Sequence, residues 1–453
     1  MNLLMIVADQ HRADALGAFG RFDIKTPNLD RLAAEGTYFK NAFTPLPVCT
    51  PARQSMHTGL NPDSYGCFWN PGFFAAADPP KDEYWPQQLR RSGLRNVFLG
   101  KWGATQTGSP CEWGYDEYIS FDEYNKTVLS KYPNRKRFDW FGGTSSLPLE
   151  DSKTHWLAAR ASEKINELKG RPWHIRVDYT DPHLPCEVCE PFASMYDPAN
   201  TELWDGCGDT FENKPYIQKQ QTLSWGLEDR TEGQWSEVIA RYRGMVSQID
   251  DSVGIMLSAL EASGQLEDTV IVYLSDHGDT SGSHGMMDKH YILFDDVVRV
   301  PFIFRGKGIS HSVRDELVSV GFDLAPTLDE LFGVRSPKAV GKSLVPMLRG
   351  ETPSDWRQFI NASSNGQQFG FFNQRMLRGH RYKYIWNLTD IDEFYDLETD
   401  PGEKKNLIRV EEYAPIISDY RKRLLVLLKE QGDPFMNGGW LEGQLSADRK
   451  HLD

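Results

Sequence analysis

With 453 residues the chain can bury one large core and a smaller satellite, and its 50 basic against 64 acidic residues give a net charge of −14. That balance argues against nucleic acid or an anionic membrane surface as the main partner, while leaving room for a small anionic ligand in a locally basic pocket. Hydrophobic residues at 40% and charged residues at 25% exclude disordered and fibrous classes. Six cysteines (49, 67, 111, 186, 189 and 207) in so long a chain form no disulfide framework, so a reduced compartment is expected.

The opening Leu3-Leu4-Met5-Ile6-Val7-Ala8 has no basic residue before it and runs into Asp9-Gln10-His11-Arg12. It reads as a buried strand ending in a loop rather than an export signal, and a cytoplasmic location is the expectation. No stretch approaches the ~18 apolar residues of a membrane span. Thr26-Pro27 opens a helix through Ala34, closed by Gly36. A second helix, Glu83 to Arg91, stops at Gly93 before the strand Asn96–Leu99. His155 to Leu168 is a helix leading to the strand Trp173–Tyr179.

A long stripe follows: Trp235, Val238, Ile239, Tyr242, Met245, Val246, Ile249, Val253, Met256, Leu257 and Leu260 recur at helical spacing. Strands Val270–Leu274 and Val300–Phe304 come next. Alternating strands and helices imply a largely parallel sheet covered on both faces. Around Arg349–Pro353 the texture turns polar, and short strands (Arg381–Trp386) and a terminal helix (Tyr413–Leu428) follow. The chain therefore divides into an α/β unit, residues 1–352, and a smaller α+β unit, residues 353–453.

Polar residues fall just past the carboxyl ends of the strands: Asp9-Gln10, Asp181-Pro182-His183 and Asp276-His277. Ligands of open α/β sheets bind in the crevice at those ends. Asp9, Gln10, Asp276 and His277 make a cage of mainly oxygen donors, suited to Ca²⁺, with Mn²⁺ or Mg²⁺ as alternatives; the bland alternative is that the two aspartates cap helices. In Cys49-Thr50-Pro51-Ala52-Arg53 the cysteine lies one residue before a helical start, where backbone amides and dipole favour an anion, and Arg53 adds a fork for sulfate or phosphate oxygens. A buried structural thiol is the competing reading. Cys186-x-x-Cys189, with Cys207 beyond, lacks the second pair of a zinc site and is read as loop packing. His57, His155, His174 and His290 are read as surface or supporting residues rather than ligands.

Cys49-Thr50-Pro51-Ala52-Arg53, with Thr58-Gly59 after it, resembles the sulfatase signature. The likeness extends through Val7–Asp14, Thr26–Ala33 with Gly36, Gly100-Lys101-Trp102, Asp181-Pro182-His183, Ser275–Asp279, His284-Gly285 and Lys289. It ends with Phe394–Leu397, Asp400–Glu403 and Asn406-Leu407. The resemblance implies an alkaline-phosphatase-like fold: a large mixed, mostly parallel sheet between helices, with a smaller C-terminal α+β domain. It implies that a maturation enzyme oxidises Cys49 to formylglycine, whose hydrate attacks the sulfur of a small anionic ester such as a sulfated carbohydrate or an aryl sulfate. A divalent cation held by Asp9, Gln10, residue 49, Asp276 and His277 would act as Lewis acid. Arg53, Lys101 and Lys289 would balance charge, and His183 would protonate the departing alkoxide.

Two positions differ from the common pattern. Gln10 stands where many sulfatases carry a second aspartate, as in the phosphonate monoester hydrolase branch. Gly103 stands where many carry a histidine. The implied activity is sulfate ester hydrolysis, with phosphonate monoester or phosphodiester hydrolysis, or non-catalytic binding of anionic sugars, as the rivals.

Overall fold

The computed structural model describes residues 1–72, 76–289, 292–336, 339–366 and 370–447, so His290 lies outside the described residues. Strand β1, Asn2–Asp9, is buried along its whole length. A continuous apolar run of this kind suits the centre of a parallel sheet covered on both faces. Because side chains alternate along a strand, β1 feeds two cores. Leu4, Ile6 and Ala8 join the core that holds Leu29, Leu157, Ile249 and Met256. Leu3, Met5 and Val7 join Met56, Trp85, Leu89, Leu324 and Leu328 on the opposite face.

The main helices of the first core are α1 (Pro27–Ala34), α4 (Lys153–Glu167) and α5 (Glu232–Ser263), and a shorter one at Phe121–Thr127 adds Tyr124. Those of the second are α2 (Cys49–Thr58), α3 (Trp85–Arg91) and α6 (Leu324–Phe332), and a single turn at Val345–Leu348 adds Met347 and Leu348. The eight strands are β1, β2 (Thr37–Phe39), β3 (Arg95–Gly100), β4 (Glu117–Ile119), β5 (Trp173–Pro182), β6 (Thr269–Ser275), β7 (Phe302–Arg305) and β8 (Ser312–Arg314), in the order β8-β2-β7-β6-β1-β5-β3-β4. Strands β6, β1, β5, β3 and β4 run parallel, and β7 is antiparallel to both its neighbours. The sheet is therefore mixed and mostly parallel, as expected.

Helix ends differ from the sequence reading by one or two residues, the usual fraying of such boundaries. The expected strand Val300–Phe304 is split at Pro301. Arg299–Val300 pairs with Ala42–Phe43 in a separate three-stranded sheet, whereas Phe302–Arg305 pairs with β6. Proline has no N–H for the ladder, so one continuous strand is broken there.

A four-stranded antiparallel sheet forms the C-terminal part: β9 (Ile360–Ser364), β10 (Gln374–Arg378), β11 (Tyr382–Asn387) and β12 (Glu393–Asp396). Helix α7, Ala414–Glu430, covers one face, burying Ile417, Leu424 and Leu428 against Leu377, Trp386 and Phe394. The other face packs Met376, Ile385 and Tyr395 onto Phe294, Val297 and Val298. A short helix at Gly439–Ala447, not anticipated from the sequence, follows α7. Among the described residues no helix is long and apolar enough to cross a membrane.

Helix α5 locks onto α1 through Asp250, which is buried. Its carboxylate accepts the backbone N–H of Asn28 (3.2 Å) and Leu29 (2.7 Å), capping α1 from another element where Thr26 makes no side-chain cap. Burial pushes the Asp250 carboxyl up to about 6, against the lowering effect of those hydrogen bonds. With the folded-state value above the unfolded one, the native state binds more protons between about pH 4 and 6, so this group's contribution to stability is lost as pH rises through that window. Asp250→Asn is expected to remove that pH dependence, on the order of 2 kcal/mol, between urea unfolding at pH 4.5 and at pH 6.5. An unchanged difference between the two pH values would show that Asp250 is not its source.

Candidate active site

Strands β1, β3, β5 and β6 are parallel, so their carboxyl ends meet at one edge of the sheet. That edge receives Asp9 from β1, Lys101 after β3, Asp178 and His183 from β5 and its exit, and Asp276-His277 after β6. The β3 exit depends on Gly100, whose φ is +94°. A Cβ there would lie 2.1 Å from the Asp178 carbonyl, where the Lys101 N–H donates to the same oxygen at 2.9 Å. Cys49 comes from the other face as the first residue of α2, one position further into the helix than expected.

Four groups converge: one ligand atom each from Asp9, Cys49, Asp276 and His277 lie within 4.8 Å of one another, and all four residues are buried. The Cys49 Sγ is 3.7 Å from Asp9 Oδ1, 3.4 Å from His277 Nε2 and 3.5 Å from Lys101 Nζ. His277 Nδ1 is 2.9 Å from the Gly278 carbonyl, which only accepts, so Nδ1 carries a proton and Nε2 is the ring nitrogen that faces the cluster. Two carboxylates and an imidazole nitrogen are a donor set that fits a divalent cation. Neither aspartate caps a helix. Asp276 Oδ1 instead accepts the N–H of Gln10 (3.2 Å) and of His277 (2.9 Å).

Arg53 spends its guanidinium on the walls of this cluster. Nε donates to Asp276 Oδ2 at 2.9 Å, Nη2 to Asp9 Oδ2 at 2.8 Å, and Nη1 to Asp178 Oδ2 at 2.5 Å and to the Lys101 carbonyl at 3.2 Å. It therefore neutralises and aligns three carboxylates rather than reaching toward open space. Behind it, Arg176 grips Asp178 through Nε (2.6 Å) and Nη2 (2.9 Å). His57 bridges the two arginines, donating from Nδ1 to the Arg53 carbonyl at 2.8 Å and standing 3.1 Å from Arg176 Nη1 at Nε2. Burial and the adjacent Arg176 hold His57 well below its ordinary value, so it is neutral.

The field at residue 49 is electropositive. Burial and Asp9 oppose ionisation of the thiol, yet Lys101, Lys289 and His277 outweigh them and hold it well below the ordinary thiol range. Burial likewise opposes ionisation of Asp9, but Lys101 and Arg53 keep it a carboxylate. An anion at position 49 is thus stabilised from three sides.

Lys289 is buried and closes the far side. Its ammonium donates to Gln10 Oε1 at 2.9 Å and to His183 Nε2 at 3.1 Å, and pairs with Asp288 at 3.1 Å. Gln10 is held by its other end as well, Nε2 donating to Asp279 Oδ2 at 2.6 Å. Its side-chain amide, expected among the cation ligands, is occupied by Lys289 and Asp279, and its backbone adopts φ 70°, a left-handed geometry that is costly outside glycine. His183 Nδ1 donates to the Leu184 carbonyl at 2.6 Å, so Nε2 is an acceptor facing Lys289.

The structure thus brings Asp9, Gln10, Cys49, Arg53, Lys101, His183, Asp276, His277 and Lys289 to one place. Asp178, Arg176, Asp279 and Asp288 stand among them and were not anticipated. Of the supporting histidines among the described residues, none is at the surface: His57 lies behind Arg53, His174 is buried beside Trp85 and Tyr115, and His155 meets Asp251 at 2.9 Å. Cys186, Cys189 and Cys207 are free thiols, and burial raises all three, Cys189 and Cys207 to about 11.

A family model described as Sulfatase matches residues 1–334, and one described as N-sulphoglucosamine sulphohydrolase, C-terminal, matches residues 282–430. The chain is 27% identical to the arylsulfatase of Clostridium perfringens over all of this chain and 99% of that one. It is 26% identical to the N-acetylglucosamine-6-O-sulfatase of Bacteroides thetaiotaomicron, covering 95% of this chain and 86% of the relative. Its fold superposes on the phosphonate monoester hydrolase of Agrobacterium radiobacter with a TM-score of 0.83 at 24% identity, over 95% of this chain and 96% of the other. With 334 of 453 residues matched by the first model and the fold in agreement, the chain belongs to the sulfatase family of sulfuric ester hydrolases.

Proposed function

We propose that this protein hydrolyses the sulfate ester of a sulfated sugar or an aryl sulfate, using residue 49 in its formylglycine form. The observation that carries the reading is the cluster of Asp9, Cys49, Asp276 and His277 within 4.8 Å, walled by Arg53, Lys101 and Lys289. A hydrated aldehyde at position 49 supplies the nucleophile, splitting one displacement into two. Asp9, Asp276, His277 and residue 49 are the groups that would hold a divalent cation, Ca²⁺ by the chemistry of the donors. When bound, the cation supplies Lewis acidity toward an ester oxygen.

The chain's own groups do the rest. Lys101, 3.5 Å from Sγ and 2.5 Å from Asp9 Oδ2, places positive charge beside the nucleophile and beside the oxygens of the transferring group. Lys289 does the same from the opposite side. His183 is the proton donor to the departing alkoxide: with Nδ1–H held on the Leu184 carbonyl, Nε2 is the atom that carries and releases the transferred proton, and Lys289 beside it adds positive charge. The same reading keeps residues 1–352 as the catalytic unit and 353–453 as the smaller one: every group named here precedes 353, and the four strands of the small sheet follow it.

One feature favours a second reading, phosphonate monoester or phosphodiester hydrolysis: position 10 is a glutamine, as in the phosphonate monoester hydrolase branch that the first metal loop resembles. The two are separated by kcat/KM on matched aryl sulfate, aryl phosphonate and aryl phosphate esters. Preference for sulfate supports the first reading, and preference for phosphonate replaces it with the second.

Removal of divalent cations with a chelator is expected to abolish turnover, and added Ca²⁺ to restore it. Asp276→Asn should raise the cation concentration needed for half-restoration about tenfold or more, since an anionic ligand becomes neutral. Full turnover in metal-free protein, verified by elemental analysis, would remove the cation from the account.

A further inference from the structure

The helix that carries residue 49 is capped from outside. Val48, at the N-cap of α2, makes no side-chain cap, and the Thr50 N–H donates instead to Asn70 Oδ1 at 2.9 Å. A first-turn amide with no intrahelical acceptor is thereby satisfied from another segment of the chain.

That segment is tied to the C-terminal unit. Trp69, next to Asn70, is buried, and its indole N–H donates to the Asn365 carbonyl at 3.2 Å. Asn365 follows β9, the edge strand of the small sheet, and is buried as well. Its side chain is pinned at both ends: Nδ2 donates to Asp63 Oδ1 at 2.9 Å, and Oδ1 accepts from Arg375 Nη1 at 3.0 Å. Arg375 lies on the neighbouring strand β10 and is anchored in turn, Nε donating to Asp433 Oδ2 at 2.5 Å. Two residues before Asn365, the Ser363 N–H donates to the Pro45 carbonyl at 2.9 Å, in the segment that runs into Cys49. Residues 363–365 thus hold both the approach to residue 49 and the loop that caps its helix. Asp63, Asn365, Arg375 and Asp433 are all buried, so water competes little for these bonds.

We infer that the C-terminal unit belongs to the reacting apparatus as a brace. Asn365 is a positioning residue that, through Trp69 and Asn70, fixes where residue 49 stands relative to Asp9, Asp276 and His277. The inference rests on the hydrolase reading above and gives residues 353–453 a part in it. The leverage is geometric: a nucleophile displaced by about 1 Å can lose on the order of 10²-fold in rate.

The test uses the full chain. Asn365→Ala removes the pinned side chain, and Trp69→Phe removes the indole N–H while keeping a ring in the buried site. Ile417→Val, which thins the core under α7, is the control for a general loss of stability in the same unit. Amide hydrogen exchange across residues 45–53 is measured on each protein, with kcat and KM on 4-nitrophenyl sulfate. Both brace variants should exchange about tenfold faster at the first turn of α2, the scale set by loss of a cap. Their kcat should fall about tenfold or more, with KM within about twofold. The double variant should lose little more than the worse single one, because both cut one chain of bonds. Ile417→Val should leave exchange and kcat unchanged. If Asn365→Ala does not fold, Trp69→Phe decides alone. Unchanged exchange or unchanged kcat in the folded variants, a loss confined to KM, or the same losses in Ile417→Val would overturn the inference. Wild-type turnover reports separately on the hydrolase reading. Faster exchange in the variants of a protein whose converted wild type hydrolyses no ester retires that reading and leaves the brace; turnover that the variants keep in full does the reverse.

Discussion

Cys49→Ala is expected to abolish sulfate ester turnover, lowering kcat by at least roughly 10⁴-fold, the scale on which loss of a covalent nucleophile is felt. The fold should survive. Cys49 is the first residue of α2, its thiol contacts are long (3.4–3.7 Å), and alanine is a better helix former. Initial rates on an aryl sulfate and urea midpoints of both proteins check the two halves of the prediction. A variant that keeps more than about a tenth of the rate would exclude a covalent role for residue 49. Cys49→Ser should fail as well where the maturation enzyme oxidises only cysteine. Its hydroxyl sits in the same positive field and would lack only the aldehyde.

Asp178→Asn is expected to produce the largest loss of stability of any single change at the site. Asp178 is fully buried and takes Arg53 Nη1 at 2.5 Å together with two donors of Arg176. Without its charge, two buried guanidiniums share one neutral amide, and breaking a buried pair in this way costs about 3–5 kcal/mol. Activity should fall further than stability explains, because Arg53 holds Asp9 and Asp276 at the same time. Cation affinity measured on the folded variant separates the two effects. If Asp178→Asn unfolds at the wild-type urea midpoint, the paired arginines do not depend on it.

The parts of the site that were legible in the sequence are those with local signals. Asp9 and Asp276 each end an apolar run, so their place at a strand terminus follows from patterning alone. Cys49 and Arg53 sit one helical turn apart, and Pro51 marks the helix that holds them. Asp178 and Arg176 escaped notice because they lie inside a run taken as a uniformly buried strand. The signal was there: His174, Arg176 and Asp178 alternate along β5 and so share one face, an unusual placement of polar groups in a strand with no exposed side.

Other features had no local signal. The occupation of the Gln10 amide by Lys289 and Asp279 joins positions some 270–280 apart in the chain, which no spacing rule reaches. The sheet's mostly parallel character followed from alternating strands and helices. The reversal at β7 and the division of residues 299–305 between two sheets are effects of pairing partners rather than of strand propensity.

The central claim is that residue 49 acts as formylglycine, and mass spectrometry of the tryptic peptide spanning residues 41–53 tests it most directly. The protein should be produced in a host that carries the maturation enzyme and in one that lacks it, with aryl sulfate turnover measured on each preparation. The peptide is predicted to be lighter in the first, because oxygen has replaced sulfur, and turnover should rise in proportion to the converted fraction. Full turnover from protein whose peptide retains an unmodified cysteine would contradict the account.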